Sequence, residues 1–180
     1  MTRIHSVIAA GISTFGTAQA ALTDTLDDLS NFGTPLNSTL TAMPGGVVSL
    51  TSDTPSVDRL VDWQIGGTIR LDLIDEGQVT VIPESQISVG EWGLWALYFT
   101  SSGSYVSEVN VLPYTDSASL VSFDMNDLAP PTAEEFVLRF RVREAIGDGF
   151  SFTEIRAVPE PKAAFLGSIG LAALFLRRRV

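Results

Sequence analysis

The sequence predicts an all-β protein: an antiparallel β-sandwich, jelly-roll-like, of about nine short strands, followed by a single short C-terminal transmembrane helix. Three observations carry this. Apolar and polar residues alternate at period two through the middle of the chain, as Ile69, Leu71 and Leu73 do against Thr68, Arg70 and Asp72; this is the pattern of a strand with one buried and one wet face. The alternating runs are short and are separated by Gly, Pro, Asn and Asp, residues that favour turns. At Ala163–Leu176 the chain carries fourteen consecutive uncharged residues, all apolar or small, and three arginines follow them directly.

In chain order, residues 21–44 are rich in Thr, Ser, Asn and Pro and read as a loosely structured lead-in. The sandwich then occupies 45–158. Gly45-Gly46 precedes a strand near Val47 to Thr51, and Gly66-Gly67 reads as a hairpin turn between runs at Asp58 to Ile65 and Thr68 to Ile74. Further runs lie at Gln78 to Ile82, Glu91 to Thr100, Tyr105 to Leu112 and Ser119 to Met125. Glu91 to Phe99 is apolar on both faces, which places it centrally. Phe136, Leu138, Phe140 and Val142 alternate with Arg139, Arg141 and Arg143, and Gly147-Asp148-Gly149 turns this strand into the last, Phe150 to Ala157.

The ends carry processing signals. Arg3 supplies a short positive region, Val7 to Phe15 an apolar one, and Ala18-Gln19-Ala20 a small-x-small cleavage pattern, so residues 1–20 read as a removed signal peptide. At the other end, Val158-Pro159-Glu160-Pro161 precedes Ala163–Leu176 and the cluster Arg177, Arg178 and Arg179. Fourteen helical residues span roughly 21 Å, short of a hydrocarbon core of about 30 Å. A terminal arginine triplet nevertheless fits the positive-inside rule and can lengthen a short span by snorkelling. These three elements in this order resemble the PEP-CTERM sorting signal of Gram-negative bacteria that make extracellular polysaccharide. The resemblance covers 158–179 and implies that Pro159, Glu160 and Pro161 are recognised by exosortase, with the helix and arginines holding the precursor in the inner membrane. It implies nothing about the folded domain.

Composition excludes much chemistry. The 138 residues Ala21 to Val158 hold 20 acidic and six basic residues, a formal charge of −14, so nucleic acid is not an expected partner. The chain has no cysteine; its one histidine, His5, lies in the signal peptide, and its one lysine, Lys162, lies beyond the Pro-Glu-Pro. Ser-His-Asp and Cys-His catalysis, a Schiff-base lysine and a typical zinc site are therefore out of reach of the folded domain. No enzyme activity and no cofactor are expected; a structural calcium is the one cofactor the composition leaves open.

Four groups of residues remain as candidates. Trp63, Trp92 and Trp95 offer flat rings for sugar stacking, although Trp92 and Trp95 fall on opposite faces of one strand and core packing is the ordinary use of large aromatics. Asp124, Asn126 and Asp127 could ligate calcium near a turn, as could Asp72, Asp75 and Glu76, but the spacing matches no EF-hand, and turn formation explains the same residues. A glycosidase would need two of these acids facing one another across a cleft. Arg139, Arg141 and Arg143 share one strand face roughly 6.5 Å apart. They could meet an acidic polysaccharide, but in so acidic a domain cross-strand pairing with Asp or Glu is the expected use. Glu154 and Arg156 on the adjoining strand fit that picture.

The expectation is an exported protein carried to the cell surface or extracellular matrix, where it has a non-catalytic structural or adhesive role toward polysaccharide or surface proteins. The alternative is a carbohydrate-binding module with a tryptophan-based sugar site. A carboxylate glycosidase ranks third.

Overall fold

The computed structural model describes residues 22–55, 57–64, 70–143 and 146–158, with side chains at 85–89 excepted. The expected signal peptide, Pro-Glu-Pro motif, terminal helix and arginine cluster lie outside the described residues.

Eleven strands are present among the described residues: β1 (Leu22–Asp24), β2 (Ser38–Met43), β3 (Val47–Ser52), β4 (Leu60–Trp63), β5 (Leu71–Asp72), β6 (Gln78–Val89), β7 (Glu91–Phe99), β8 (Tyr105–Thr115), β9 (Val121–Asp124), β10 (Glu135–Arg143) and β11 (Gly149–Val158). They form two antiparallel sheets. The first runs β2-β3-β11-β6-β9, with β1 also on β11; the second runs β4-β10-β7-β8, with β5 also on β10. From β3 onward the chain winds between the sheets so that β3-β11-β6-β9 faces β4-β10-β7-β8, the strand order of two Greek keys in a double-sheet roll. As its two-sided apolarity implies, β7 is interior to its sheet, between β10 and β8.

Strands β3 to β11 answer the nine expected. The lead-in expectation for 21–44 is corrected, because this stretch carries β1 and β2. Six residue pairs, Ser38↔Ser52 to Met43↔Val47, zip β2 onto β3, and Leu26 is fully buried. As an edge strand β2 has a sheet neighbour on one side only, so Thr and Ser can hold its place without an apolar alternation to announce it. The β2–β3 turn uses Gly45 and Gly46 at φ 90° and 73°, a conformation only glycine adopts cheaply.

The hairpin at Gly66-Gly67 is also corrected. Trp63 pairs with Leu138 and Leu71 with Phe136, so β4 and β5 follow one another in the same direction along one edge of β10. The glycines themselves lie outside the described residues. Two single-turn helices, α1 (Leu73–Glu76) and α2 (Met125–Leu128), were not foreseen, since four residues are too few to show a helical period. Among the described residues no helix is long and apolar enough to cross a membrane.

Inner faces of the two sheets meet on aromatic rings. Trp92 lies 5.2 Å from both Phe150 and Phe152, and Phe140 lies 4.8 Å from Phe152, which joins β7 and β10 to β11. A second tie is polar. Asp24, nearly buried on β1, accepts from the Trp63 indole N–H at 2.7 Å, from Asn31 Nδ2 at 2.9 Å and from the Leu26 backbone N–H at 2.9 Å. Three donors satisfy a carboxylate that would otherwise be costly to bury. Because β1 belongs to one sheet and Trp63 to the other, this hub links the two layers. Leu22 pairs with Ala157, so the first described residues and the last leave the sandwich side by side.

Candidate functional site

The structure separates the three tryptophans. Trp63 and Trp92 are fully buried and are removed as sugar-binding candidates; their faces are spent on the core, and their indole N–H groups donate to Asp24 and to the Ser117 carbonyl. Trp95 is half-buried and stands on the opposite face of β7, as the alternation required.

That outer face of the β4-β10-β7-β8 sheet is an organised surface. Arg139 lies opposite Trp95, and Arg141 opposite Gly93. The Trp95 ring lies so low over Gly93 that a Cβ there would come within 2.6 Å of it. Tyr114 on β8 tilts against the indole at 5.1 Å, and the Arg141 guanidinium sits 4.4 Å from its ring centre, within the range of a cation–π contact. Burial pushes the Tyr114 phenol upward, partly offset by nearby Arg141 and Arg143, so its O–H remains a donor across the neutral range. Further along β7, Arg70 covers Phe99 at 3.9 Å, and Tyr105, 58 % exposed, meets Phe99 edge-on at 5.9 Å.

The arginine row is paired as expected. Arg139 holds Asp62 of β4 with two parallel bonds, Nε to Oδ1 at 2.6 Å and Nη2 to Oδ2 at 2.9 Å, and reaches Glu108 of β8 at 3.6 Å. The hydrogen bond to Asp62 raises the Arg139 pKa further, so its charge is permanent. Arg141 also pairs with Glu108, Arg143 with Glu91 at 3.8 Å, and Arg70 with Glu135 at 3.4 Å. Four of the folded domain's six arginines thus lie on one sheet face, each beside a carboxylate. On the other sheet, Arg156 pairs with Glu154.

The calcium expectation is not met by the geometry. Asp124 Oδ1 caps α2 by accepting from the Asn126 N–H, the Asn126 amide donates to the Leu73 carbonyl at 3.0 Å, and Asp127 points to solvent. A side chain presenting its N–H₂ and a carboxylate occupied by capping do not converge as ligands. Likewise Asp72 caps α1, accepting from Ile74 and Asp75, while Glu76 accepts from the Asp72 N–H at 2.7 Å. Burial, with Asp72 and Asp75 nearby, pushes the Glu76 carboxyl upward. Among the described residues no group of three or more acidic side chains is arranged to hold a metal. The residues named for calcium are those of turn and helix capping.

Sequence reasoning missed Tyr105, Glu108, Tyr114 and Gly93. A usable signal existed for the last: Gly93 precedes Trp95 by two positions, so it shares its face and vacates the space the indole fills.

No family model matches the chain, and no curated protein matches it. Solved structures do. The low-affinity xylan-binding module CBM86 from Roseburia intestinalis superposes with a TM-score of 0.50 at 8 % identity, over 78 % of this chain and 96 % of that one. The module CtCBM11 superposes with a TM-score of 0.50 at 10 % identity, over 82 % and 99 %. At such identity the likeness speaks for the fold: a β-sandwich shared with carbohydrate-binding modules.

Proposed function

We propose that the sandwich is a non-catalytic carbohydrate-binding module whose glycan lies on the outer face of the β4-β10-β7-β8 sheet, around Trp95. One observation carries the reading. A half-buried indole is held low over Gly93, flanked by Tyr114, on a face that interleaves arginine donors with carboxylate acceptors. Sugars present apolar C–H faces and hydroxyls that both donate and accept, so aromatic rings beside mixed charged groups suit them. The modules with this fold add support, one of them described as binding xylan. Asp62, Glu91, Glu108 and Glu135 on this face are each paired with an arginine, a use that favours binding over hydrolysis.

We further propose that the chain is exported and sorted to the envelope or matrix through Pro159-Glu160-Pro161, as the resemblance of its tail implies. A polysaccharide-binding domain delivered to a polysaccharide-rich surface would make the two ends and the middle serve one purpose. The binding test compares wild-type protein with Trp95→Ala on polysaccharide extracted from the host. Saturable binding that is lost in the variant is expected. Absence of any binding would return the domain to a structural or adhesive surface role. Mass-spectrometric mapping of the mature C-terminus tests the sorting reading, which an intact Ala163–Val180 tail in a strain with active exosortase would sink.

A further inference from the structure

We infer that the glycan on this face is a neutral polysaccharide chain lying lengthwise along β7 and β8, not an acidic one; this rests on the binding-module reading. A row of three arginines would ordinarily point to a polyanion. Here the fork of Arg139 that a uronate carboxylate would occupy is already filled, in two parallel bonds, by Asp62. Glu108 bridges Arg139 and Arg141, and Glu91 and Glu135 take Arg143 and Arg70. The face is therefore close to neutral within a domain of charge −14. To take the Arg139 fork, an anionic ligand would have to displace Asp62 or Glu108, carboxylates with side chains only 29 % and 26 % exposed, and leave them unpaired beside the incoming charge; Arg143, 62 % exposed and 3.8 Å from Glu91, is the one cation of the row more open to it. It would also approach against the field of the whole domain. A neutral hydroxyl needs no displacement. It accepts from an N–H the carboxylates leave over and donates to a carboxylate lone pair they leave free, so the ion pairs act as a preformed ladder of donors and acceptors.

The length of the platform sets the form of the ligand. Trp95 with Tyr114 marks one end and Phe99 with Tyr105 the other. Trp95 and Phe99 stand four residues apart on the strand, roughly 13 Å. Opposite Leu97, between these two aromatic ends, stands Glu108. A single sugar ring cannot touch both ends; a run of several can, with its hydroxyls over Glu108 and the arginines.

Retention of the full chain is measured on mixed-linkage β-glucan, arabinoxylan and galactomannan, and on polygalacturonate and alginate, each at low and high salt. The expected result is retention on at least one neutral polymer that changes less than about twofold with salt, since little net charge is neutralised. Its oligosaccharides should compete and its monosaccharides should not. Glu108→Gln should weaken that retention, roughly tenfold if one charge-assisted acceptor is lost, and melting curves show whether the variant remains folded. Tyr105→Ala, exposed and remote from the core, supplies a second variant expected to reduce polymer binding without touching the fold. Salt-sensitive retention on the acidic polymers alone, strengthened by Glu108→Gln, would overturn this inference while leaving the binding module intact. Full competition by a monosaccharide would overturn the lengthwise placement. Retention on none of the polymers would overturn both.

Discussion

Trp92 and Trp95 stand three residues apart on one strand and serve opposite ends. Trp92 faces inward, fully buried among Phe140, Phe150 and Phe152, with its N–H bonded to the Ser117 carbonyl. Trp95 faces outward onto a surface of arginines and carboxylates, beside Tyr114 and over Gly93. Residue type does not separate them; the neighbours that register brings to each face do. The inner face joins two sheets, and its loss should be read in stability. The outer face ties together only strands of its own sheet, through ion pairs, and on the proposed reading loss of Trp95 should be read in binding.

Substitution on the inner face should give the largest effect. Trp92→Ala is expected to cost about 3–5 kcal/mol in urea unfolding, because it opens a cavity that three fixed rings cannot close. Trp95→Ala should cost about 1 kcal/mol or less and abolish glycan binding; a comparable stability loss in both variants would erase the distinction between the faces. Next is the polar tie behind Trp63. Asp24→Ala leaves the Trp63 indole, Asn31 and Leu26 donors without their acceptor, and thermal or urea melts should show a loss of roughly 2–3 kcal/mol. Binding by the folded fraction should be unchanged, since Asp24 lies away from the outer face.

Gly93→Ala sharpens the comparison from the other side. Its Cβ would collide with the Trp95 ring and force the indole off its seat, at a cost of about 1 kcal/mol in stability and a clearly larger proportional loss in polysaccharide binding. Unaltered binding would mean that the seat of Trp95 is irrelevant to the ligand. The smallest effect belongs to neither face. Glu76, at the cap of α1, has its carboxyl raised above the ordinary 4.5, first by burial and then by Asp72 and Asp75. Protonation therefore favours the folded state: this contribution is fully present below the unfolded value and is lost as pH rises through the raised folded value. Wild type should accordingly lose a little stability as pH rises from below 4.5 to above the raised value, a slope that Glu76→Gln should flatten in pH-dependent melts.

How much of this was legible depended on the period of the signal. Alternation exposed nine strands, the opposite facing of Trp92 and Trp95, and the shared face of Arg139, Arg141 and Arg143 with its pairing to acids, because each follows from side chains changing sides at every residue. Edge strand β2 was missed because Ser and Thr suffice where one flank is open, and α1 and α2 because a single turn has no period. The hairpin reading at Gly66-Gly67 failed for a different reason. Two strands lying end to end on one neighbour look, in sequence, like two strands that turn back on each other.

Local patterning and composition alone determined the β class, the acidity of the domain, the absence of thiol, imidazole and amine chemistry, and the signals proposed at the two ends. Only tertiary structure decided that Trp95 and not Trp63 or Trp92 reaches the surface, which carboxylate meets which arginine, and that Asp72 and Asp124 cap the two short helices. Those outcomes rest on partners from distant strands, Asp62 with Arg139 and Asp24 with Trp63, separated by 77 and 39 residues. A strand's own sequence gives its spacing and its sides; its lateral neighbour is chosen by how the whole chain buries its apolar faces.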